Sequence, residues 1–184
     1  ISTDWVWTSR LIGARFSSSN DSFGEFAAAA TELQANPWDV MDGVKVGTTS
    51  ELTNSSGRNF INYLFERAPS FFDVVCYTGT GVNSNVAHNL TVAPELMFVK
   101  GRSGFNWQVY VSTLTNSEYM VLNSISPKAT GSNRWNATTP TSTVFTLGTA
   151  SEVNQNNENY IAYLFASCPG VSKVGGYTGT GATQ

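Results

Sequence analysis

The sequence has 184 residues, of which 41% are hydrophobic and 12% charged, and its net charge is −3. This length allows one or two domains with a sizeable core. The weak negative charge and the lack of a basic cluster argue against nucleic acid as a partner. No apolar run approaches the roughly 18 residues that a membrane span needs, so we expect no membrane insertion.

The N-terminal part of the chain carries the one helical signal. Residues 6–10 indicate the end of a short strand. Ser22 and Glu25 then have the spacing of a capping box, and the alanine-rich run that follows favours a helix until Asn36 and Pro37 end it. The sequence therefore predicts a short helix near residues 23–35.

The rest of the chain predicts short strands separated by turns rich in Asn, Gly, Ser and Pro. The predicted strands are 73–76, 96–100, 107–111, 119–123, 143–147 and 160–166. Strands at this spacing, with no helical pattern between them, are typical of an antiparallel β-sandwich or jelly roll. We expect an all-β fold of tandem, concanavalin-like antiparallel modules.

One long run of the sequence occurs twice. Residues 59–81 and 159–181 are identical at twelve of 23 aligned positions. A repeat of about 100 residues has the size of one folding domain. We therefore divide the chain into 1–72, the C-terminal part of a first repeat, and 73–170, a complete second repeat. Residues 171–184 are the first strand of a further repeat, or a strand that completes the first. The absence of an initiator Met suggests a window on a longer array.

Alternate residues of the repeated strand are apolar in both copies, and we expect them to face the sandwich core. This set comprises Ile61, Tyr63 and Phe65 with their equivalents Ile161, Tyr163 and Phe165. The opposite set includes Asn62 and Glu66 in the first copy, so we expect it to face outwards.

Few residues point to catalysis or ligand chemistry. The motif at 77–81, Tyr-Thr-Gly-Thr-Gly, lacks the third glycine and the lysine of phosphate loops, so we interpret its glycines as turn or bulge residues. His88 is the single histidine, and without a nucleophile elbow we expect it to bond a turn backbone. Glu51 and Glu152 occupy equivalent turns. We predict no catalytic, cofactor-binding or metal-binding residue, although paired carboxylates for glycoside cleavage remain an alternative.

A glycan contact would need an aromatic ring beside amide groups. The candidates are Trp135 with its neighbours Asn133 and Asn136, and Asn156 in a nearby loop. The alternative for Trp135 is core packing, which large aromatic residues mostly serve. Cys76 and Cys168 occupy non-equivalent repeat positions and are either two free thiols or a bridge.

A further set of short motifs extends through the second repeat. It comprises the 77–81 motif, 86–90, 92–96, 98–100, Arg102, 106–107, 109–110, 122–123, 135–136, 140–145, 147–148, 160–163 and 165–166. This succession resembles a repeat found in virion structural proteins of marine and environmental tailed bacteriophages. The resemblance is dense over 73–181 and patchy over 1–70.

That family implies a lectin-like β-sandwich on the virion surface, made in the cytoplasm of the bacterial host. We expect a non-enzymatic segment of a phage tail fibre or other appendage, which presents its modules for host attachment. Its partners would be other virion subunits, in a homo-oligomer, and host cell-surface polysaccharide. The alternative is a capsid-decorating or filament-forming protein whose repeats serve assembly and bind no host ligand.

Overall fold

The computed structural model describes residues 5–27, 33, 37–38, 43–48 and 52–181. Within this part the chain is almost entirely β-structure, with a 3-10 helix at Arg10–Ile12 and one short α-helix, α1, at Ser151–Asn154. The strands in chain order are β1 (Val6–Trp7), β2 (Arg15–Ser18), β3 (Phe26–Ala27), β4 (Phe72–Thr78), β5 (Ser84–Ala87), β6 (Leu96–Gly101), β7 (Gln108–Val111), β8 (Glu118–Val121), β9 (Ala129–Thr130), β10 (Val144–Leu147) and β11 (Asn159–Phe165). The all-β prediction is confirmed.

The largest sheet has six strands in the order β4-β11-β6-β7-β8-β9. Its first two strands come from opposite ends of the second repeat, with Thr78 opposite Asn159 and Phe72 opposite Phe165. Strands β10 and β5 form a second sheet, and β1, β2 and β3 form a third. All the pairings are antiparallel.

The sandwich core lies between the six-stranded sheet and the β5–β10 sheet with its adjoining loops. Its buried members include Met97, Val99, Tyr110, Tyr160, Ala162 and Leu164 from the large sheet, and Leu90, Trp135, Phe145, Leu147 and Val153 from the opposite side. Full burial of one such large apolar side chain is worth about 1.5–3 kcal/mol. This cluster is therefore the main source of stability in the second repeat.

The N-terminal strands cover the other face of the same sheet. The ring of Trp7 packs edge-on against Phe98 and Tyr163, with ring centroids 5.8 and 5.1 Å away, and lies 5.5 Å from Trp107. Ile12 joins the same buried cluster. The central strands β11 and β6 of the six-stranded sheet are thus covered on both faces.

This double burial corrects the predicted faces of β11. Tyr160, Ala162 and Leu164, which we expected to face outwards, fill the sandwich core. Ile161 and Tyr163 point instead into the cluster beneath the N-terminal strands. A strand covered on both faces is apolar on both, so its alternation does not tell the two faces apart.

The predicted helix near 23–35 is not observed where the structure describes it. Phe26 lies in β3, where its ring stacks on Phe16 at 5.4 Å, and Leu33 forms an isolated bridge with Val46. Glu25 binds Arg102 at 2.7 Å. Tertiary pairing thus overrides the local helix propensity of this segment. Residues 28–32 and 34–36 lie outside the described part.

The first copy of the repeated strand behaves differently from the second. Residues 59–65 belong to none of the strands of the described residues, and they lie exposed. The turns that follow the two copies are nevertheless alike. The amides of Phe72 and Ser172 donate to the carbonyls of Ala68 and Cys168, at 3.1 and 2.9 Å. The repeat is therefore visible in the turns, while the division of the chain into modules stays a prediction.

Candidate functional site

An open groove of about 390 Å³ lies where the N-terminal strands meet the end of β8. Trp5, immediately before β1, forms one side, and its side chain is 63% exposed. The other lining residues are Ser19, Asn20, Leu122, Asn123, Ser124 and Ile125. The groove thus combines one accessible indole with hydroxyl, amide and aliphatic groups and no charged side chain. We call it the Trp5 groove.

Trp107 holds the two walls of the Trp5 groove together. Its indole N–H donates to the carbonyl of Ser18 at 2.8 Å, which fixes the end of β2. Its backbone N–H donates to Oδ1 of Asn123 at 3.0 Å, and its carbonyl accepts from the N–H of Leu122 at 3.1 Å. Since Trp107 is fully buried, both walls rest on a rigid residue of the core.

Hydrogen bonds also order the polar groups of this groove. The amide of Asn123 donates to Oδ1 of Asn106 at 2.8 Å, and this bond fixes the orientation of the Asn123 side chain. The backbone N–H of Ser19 donates to the carbonyl of Trp5 at 3.0 Å, which holds the indole close to the loop after β2. An aromatic face beside oriented amides and hydroxyls is an arrangement that can stack on and hydrogen-bond a polyhydroxylated ring.

Trp135, the predicted centre of a glycan contact, lies in the sandwich core. Its side chain is 0% exposed, and its ring meets Tyr110 edge-on at 5.8 Å. A stacking platform needs an exposed ring face, and Trp135 has none in this structure. Its indole N–H has no hydrogen-bond partner among the described residues. The core-packing alternative for this residue is confirmed.

The predicted asparagines surround α1 rather than an aromatic platform. Asn133 is exposed, its carbonyl accepts from the N–H of Ala150 at 3.0 Å, and its Oδ1 accepts from Arg134 at 3.0 Å. Asn136 follows in a turn with φ of 51°. Asn156 is exposed in the loop after α1. The prediction that these residues contact a glycan stays a prediction.

The Tyr-Thr-Gly-Thr-Gly motif at 77–81 is hydrogen-bonded to the end of α1 and the loop that follows it. The N–H groups of Gly79 and Gly81 donate to the carbonyls of Glu158 and Asn154, both at 2.8 Å. A Cβ on Gly79 would lie 2.2 Å from the carbonyl oxygen of Gln155, while Gly81 has φ of +73°. The predicted structural role is therefore observed, with close approach at one glycine and left-handed backbone at the other.

Asn154 is the buried partner of this motif, and sequence reasoning did not single it out. Its Oδ1 accepts from the N–H of Thr80 at 2.8 Å, and its amide donates to the carbonyls of Val82 and Gly148 at 2.7 Å each. A fully buried amide is stable only when its polar atoms are paired. No signal in the sequence indicates this role, because Asn154 lies more than 70 residues from the motif at 77–81 that it binds.

His88 has the structural role that the sequence predicted. Its Nε2 lies 3.2 Å from the carbonyl of Thr141, and its Nδ1 accepts from the N–H of Leu90 at 3.2 Å. The two contacts fit a neutral ring with its proton on Nε2. Burial lowers the pKa of His88 below its ordinary value, and the contact with Thr141 and the charge of Asp73 offset part of that effect.

The carboxylates of the second repeat bind separate partners. Asp73 is buried and accepts from Arg67 at 2.5 Å and from the N–H of Asn89 at 2.7 Å. Glu95 accepts from the N–H of Ser167 at 2.8 Å. Glu152, in the first turn of α1, binds Arg134 at 2.8 Å. Its repeat equivalent Glu51 lies outside the described residues.

A second groove, of about 320 Å³, has a different character because charged residues line it. It is formed by Arg15, Glu25, Arg102, Ser103, Asn157, Glu158 and Asn159. The ion pair with Glu25 raises the pKa of Arg102, and Glu158 accepts from the N–H of Ser103 at 2.9 Å. Arg102 and Glu25 are thus paired with each other, and the charged lining suits a polyhydroxylated ring less well than the uncharged Trp5 groove does.

Three further features bear on ligands and location. In the part of the chain that the structure describes, no group of three or more His, Cys, Asp or Glu residues has the arrangement of a metal site. No helix among the same residues is long and apolar enough to cross a membrane. Cys76 and Cys168 are both free thiols.

Comparison with known proteins gives one match. Neither the curated proteins nor the solved structures contain a match to this chain. A protein family described as a domain of unknown function, DUF7483, matches residues 67–184. That range contains the whole six-stranded sheet and exceeds half of the chain. The protein therefore belongs to the DUF7483 family.

Proposed function

We propose that this protein is a non-enzymatic segment of a phage tail fibre or other virion appendage, which attaches to host cell-surface polysaccharide through the Trp5 groove. The observation that carries the proposal is the exposed indole of Trp5 beside the ordered amide of Asn123. Sugar rings present apolar C–H faces and rings of hydroxyl groups. An indole face and amide groups complement both.

The size and charge of the groove support the same class of ligand. Its volume of about 390 Å³ lies within the range of small-molecule sites. No charged side chain lines it, which favours a neutral, polyhydroxylated ligand. Its openness would make single contacts weak. Several linked copies of the module would add avidity, which is the physical advantage of a repeated attachment protein.

Binding of the fluorescently labelled 184-residue chain to intact bacteria, with and without their surface polysaccharide removed, tests the proposal. We expect saturable binding that disappears with the polysaccharide and falls at least tenfold in Trp5→Ala, while Trp5→Phe keeps part of it. Phe23→Ala is the matched control, because Phe23 is a similarly exposed aromatic residue outside the groove. Equal loss in both alanine variants, or no binding by folded protein, would overturn the attachment role.

A second candidate function is a capsid-decorating or filament-forming protein whose repeats serve assembly. The exposed apolar run at 60–65 favours it, since exposed apolar patches commonly mark protein interfaces. This function predicts self-association without binding to cells. The same labelled chain therefore distinguishes the two candidates.

A further inference from the structure

The segment 59–65 has the sequence of a buried strand in an exposed position. Ile61, Tyr63 and Leu64 are 75%, 69% and 61% exposed, whereas their equivalents in β11 are 0%, 3% and 0% exposed. In β11 the same residue types are covered because β4 and β6 pair on either side. Among the described residues, no strand pairs with 59–65.

The segment 172–177 is the counterpart of β4, and it too lies outside the sheets. It follows the turn at Cys168, which has the same hydrogen bonds as the turn at Ala68 that leads into β4. Yet Val171 is 68% and Tyr177 90% exposed. The chain therefore carries one copy of each strand of the β4–β11 pair in addition to the pair itself.

We propose that residues 172–177 of one copy of this protein pair antiparallel with residues 60–65 of a second copy, as β4 pairs with β11. The register follows from that pair, in which Val74 lies opposite Tyr163 and Asp73 opposite Leu164. Subtracting or adding the repeat offset of 100 places Tyr63 opposite Val174. It also places Leu64 opposite Lys173.

Side-chain chemistry agrees with this register. Glu66 lies two residues beyond Leu64 on the same face of its strand. In this register it is therefore the diagonal neighbour of Lys173. Opposite charges at such positions stabilise a two-stranded pairing modestly. At the other end, Phe60 lies opposite Tyr177, and aromatic cross-strand pairs are also favourable. Ile61, Tyr63 and Leu64, which are largely exposed in their own copy, gain cover from this pairing.

The two segments diverge within one copy, which favours a second copy as the partner. Segment 59–65 ends beside β4 and β11, where the ring of Phe65 lies 5.4 Å from Phe72 and 5.6 Å from Phe165. Residues 171–176 instead lead towards the end of β7, where a Cβ on Gly176 would contact the hydroxyl of Thr113 at 3.6 Å. Strand β7 lies three places from β4 in the sheet, roughly 14 Å at the usual spacing.

Each copy thus offers one donor strand and one acceptor strand at different places. Such a contact is heterologous, so copies join head to tail and build open chains unless the rotation between copies closes a ring. The inference uses no ligand and stands apart from the attachment proposal. Strand addition of this kind would make a fibre-like array of copies.

Sedimentation velocity and light scattering on the 184-residue chain over a wide concentration range test this inference. We expect wild-type mass to rise with concentration beyond the dimer. The hydrogen bonds from Ala166 to Phe71 and from Gly79 to Glu158 show that β4 and β11 are bonded at every second pair, which includes Val75 and Ala162. The equivalent bonded pair of the proposed contact is Gly175 and Asn62. Asn62→Pro interrupts the acceptor strand and Gly175→Pro the donor strand, because proline removes a hydrogen bond of the ladder. Each variant alone should remain monomeric. An equimolar mixture should form a dimer and nothing larger, since only one intact donor and one intact acceptor are left.

The control is Val82→Asp, which changes an exposed apolar residue outside both segments and outside the Trp5 groove, and which should still assemble. Near-UV circular dichroism shows whether each variant is folded. Wild type that stays monomeric at all concentrations overturns the inference, as does assembly that survives Asn62→Pro or is lost in Val82→Asp. Monomeric wild type that Asn62→Pro destabilises would show that the two strands pair within one chain. Binding of the monomeric variants to cells, measured separately, shows whether attachment persists without assembly.

Discussion

The two copies of the repeated strand, 59–65 and 159–165, share five of seven residues and lie in opposite environments. The second copy is the central strand β11, paired on both sides and buried on both faces. The first copy is exposed and outside the sheets. Local sequence therefore makes this run suited to a strand, but the neighbouring strands decide whether it becomes one.

The largest expected contrast between the two copies is at their shared leucine. Leu164→Ala removes a fully buried side chain from the core and should lower the free energy of unfolding by about 2–5 kcal/mol. Leu64→Ala at the equivalent exposed position should change it by less than about 0.5 kcal/mol. Urea unfolding of both variants, made in the Gly175→Pro background to prevent self-association, measures the difference. Equal effects would mean that 59–65 is buried in solution.

The glycines of the repeated motif give the next contrast. A Cβ on Gly79 would lie 2.2 Å from a backbone oxygen, so Gly79→Ala must displace the loop after α1. We expect it to cost about 1–3 kcal/mol. The equivalent Gly179 has no atom within 4 Å of such a Cβ, and Gly179→Ala should be neutral. Thermal unfolding of the two variants checks this, and a destabilising Gly179→Ala would place the C-terminal segment in a packed structure.

The smallest effect is a pH dependence that reports on the second repeat alone, because His88 is the single histidine. Burial lowers its pKa in the folded state below the ordinary 6.5. The unfolded chain therefore binds the proton first, and stability falls as the pH drops from about 6.5 towards the folded pKa. Above that window the contribution is fully present.

Unfolding free energies of wild type and His88→Gln between pH 5 and pH 8 isolate this effect. The wild type should lose stability on acidification relative to its value at pH 8, and the variant should lose less. An NMR titration of the single imidazole gives the folded pKa directly. A folded pKa at or above 6.5 would contradict the buried, neutral ring.

Most strands between residues 72 and 165 were predictable because their residues are dense in β-branched and aromatic types, although the short strands β5 and β9 were missed. Of the N-terminal strands, the sequence indicated only β1, within residues 6–10, and β2 and β3 were not predicted. Phe26 belongs to an alanine-rich run whose helix propensity is visible locally, whereas its pairing with Phe16 depends on the tertiary fold. The orientation of the two faces of β11 was also not predictable, because Trp7, which covers one face, lies about 150 residues away in the sequence.

The candidate site was less predictable than the fold. The sequence pattern pointed to Trp135 as the aromatic residue of a glycan contact, but a tryptophan between asparagines does not reveal its own burial. Trp5 and Asn123 are more than 100 residues apart, and hydrogen bonds of Trp107 bring their loops together. His88 and the repeated glycines were predictable because their constraints are local, in turns and in close backbone approach.

The pairing of β4 with β11 also has a mechanical consequence. Strand β4 begins at Phe72 and strand β11 ends at Phe165, and these two residues lie opposite each other in the sheet. A pulling force applied to the chain at these two residues therefore separates the two strands from one end. Antiparallel hydrogen bonds lie perpendicular to the strands, so the load falls on them in succession rather than on all of them together. Under tension, a unit with this geometry loses its hydrogen bonds one after another from one end. The chain then lengthens as the strands separate, and it resists the force less than a rigid unit would.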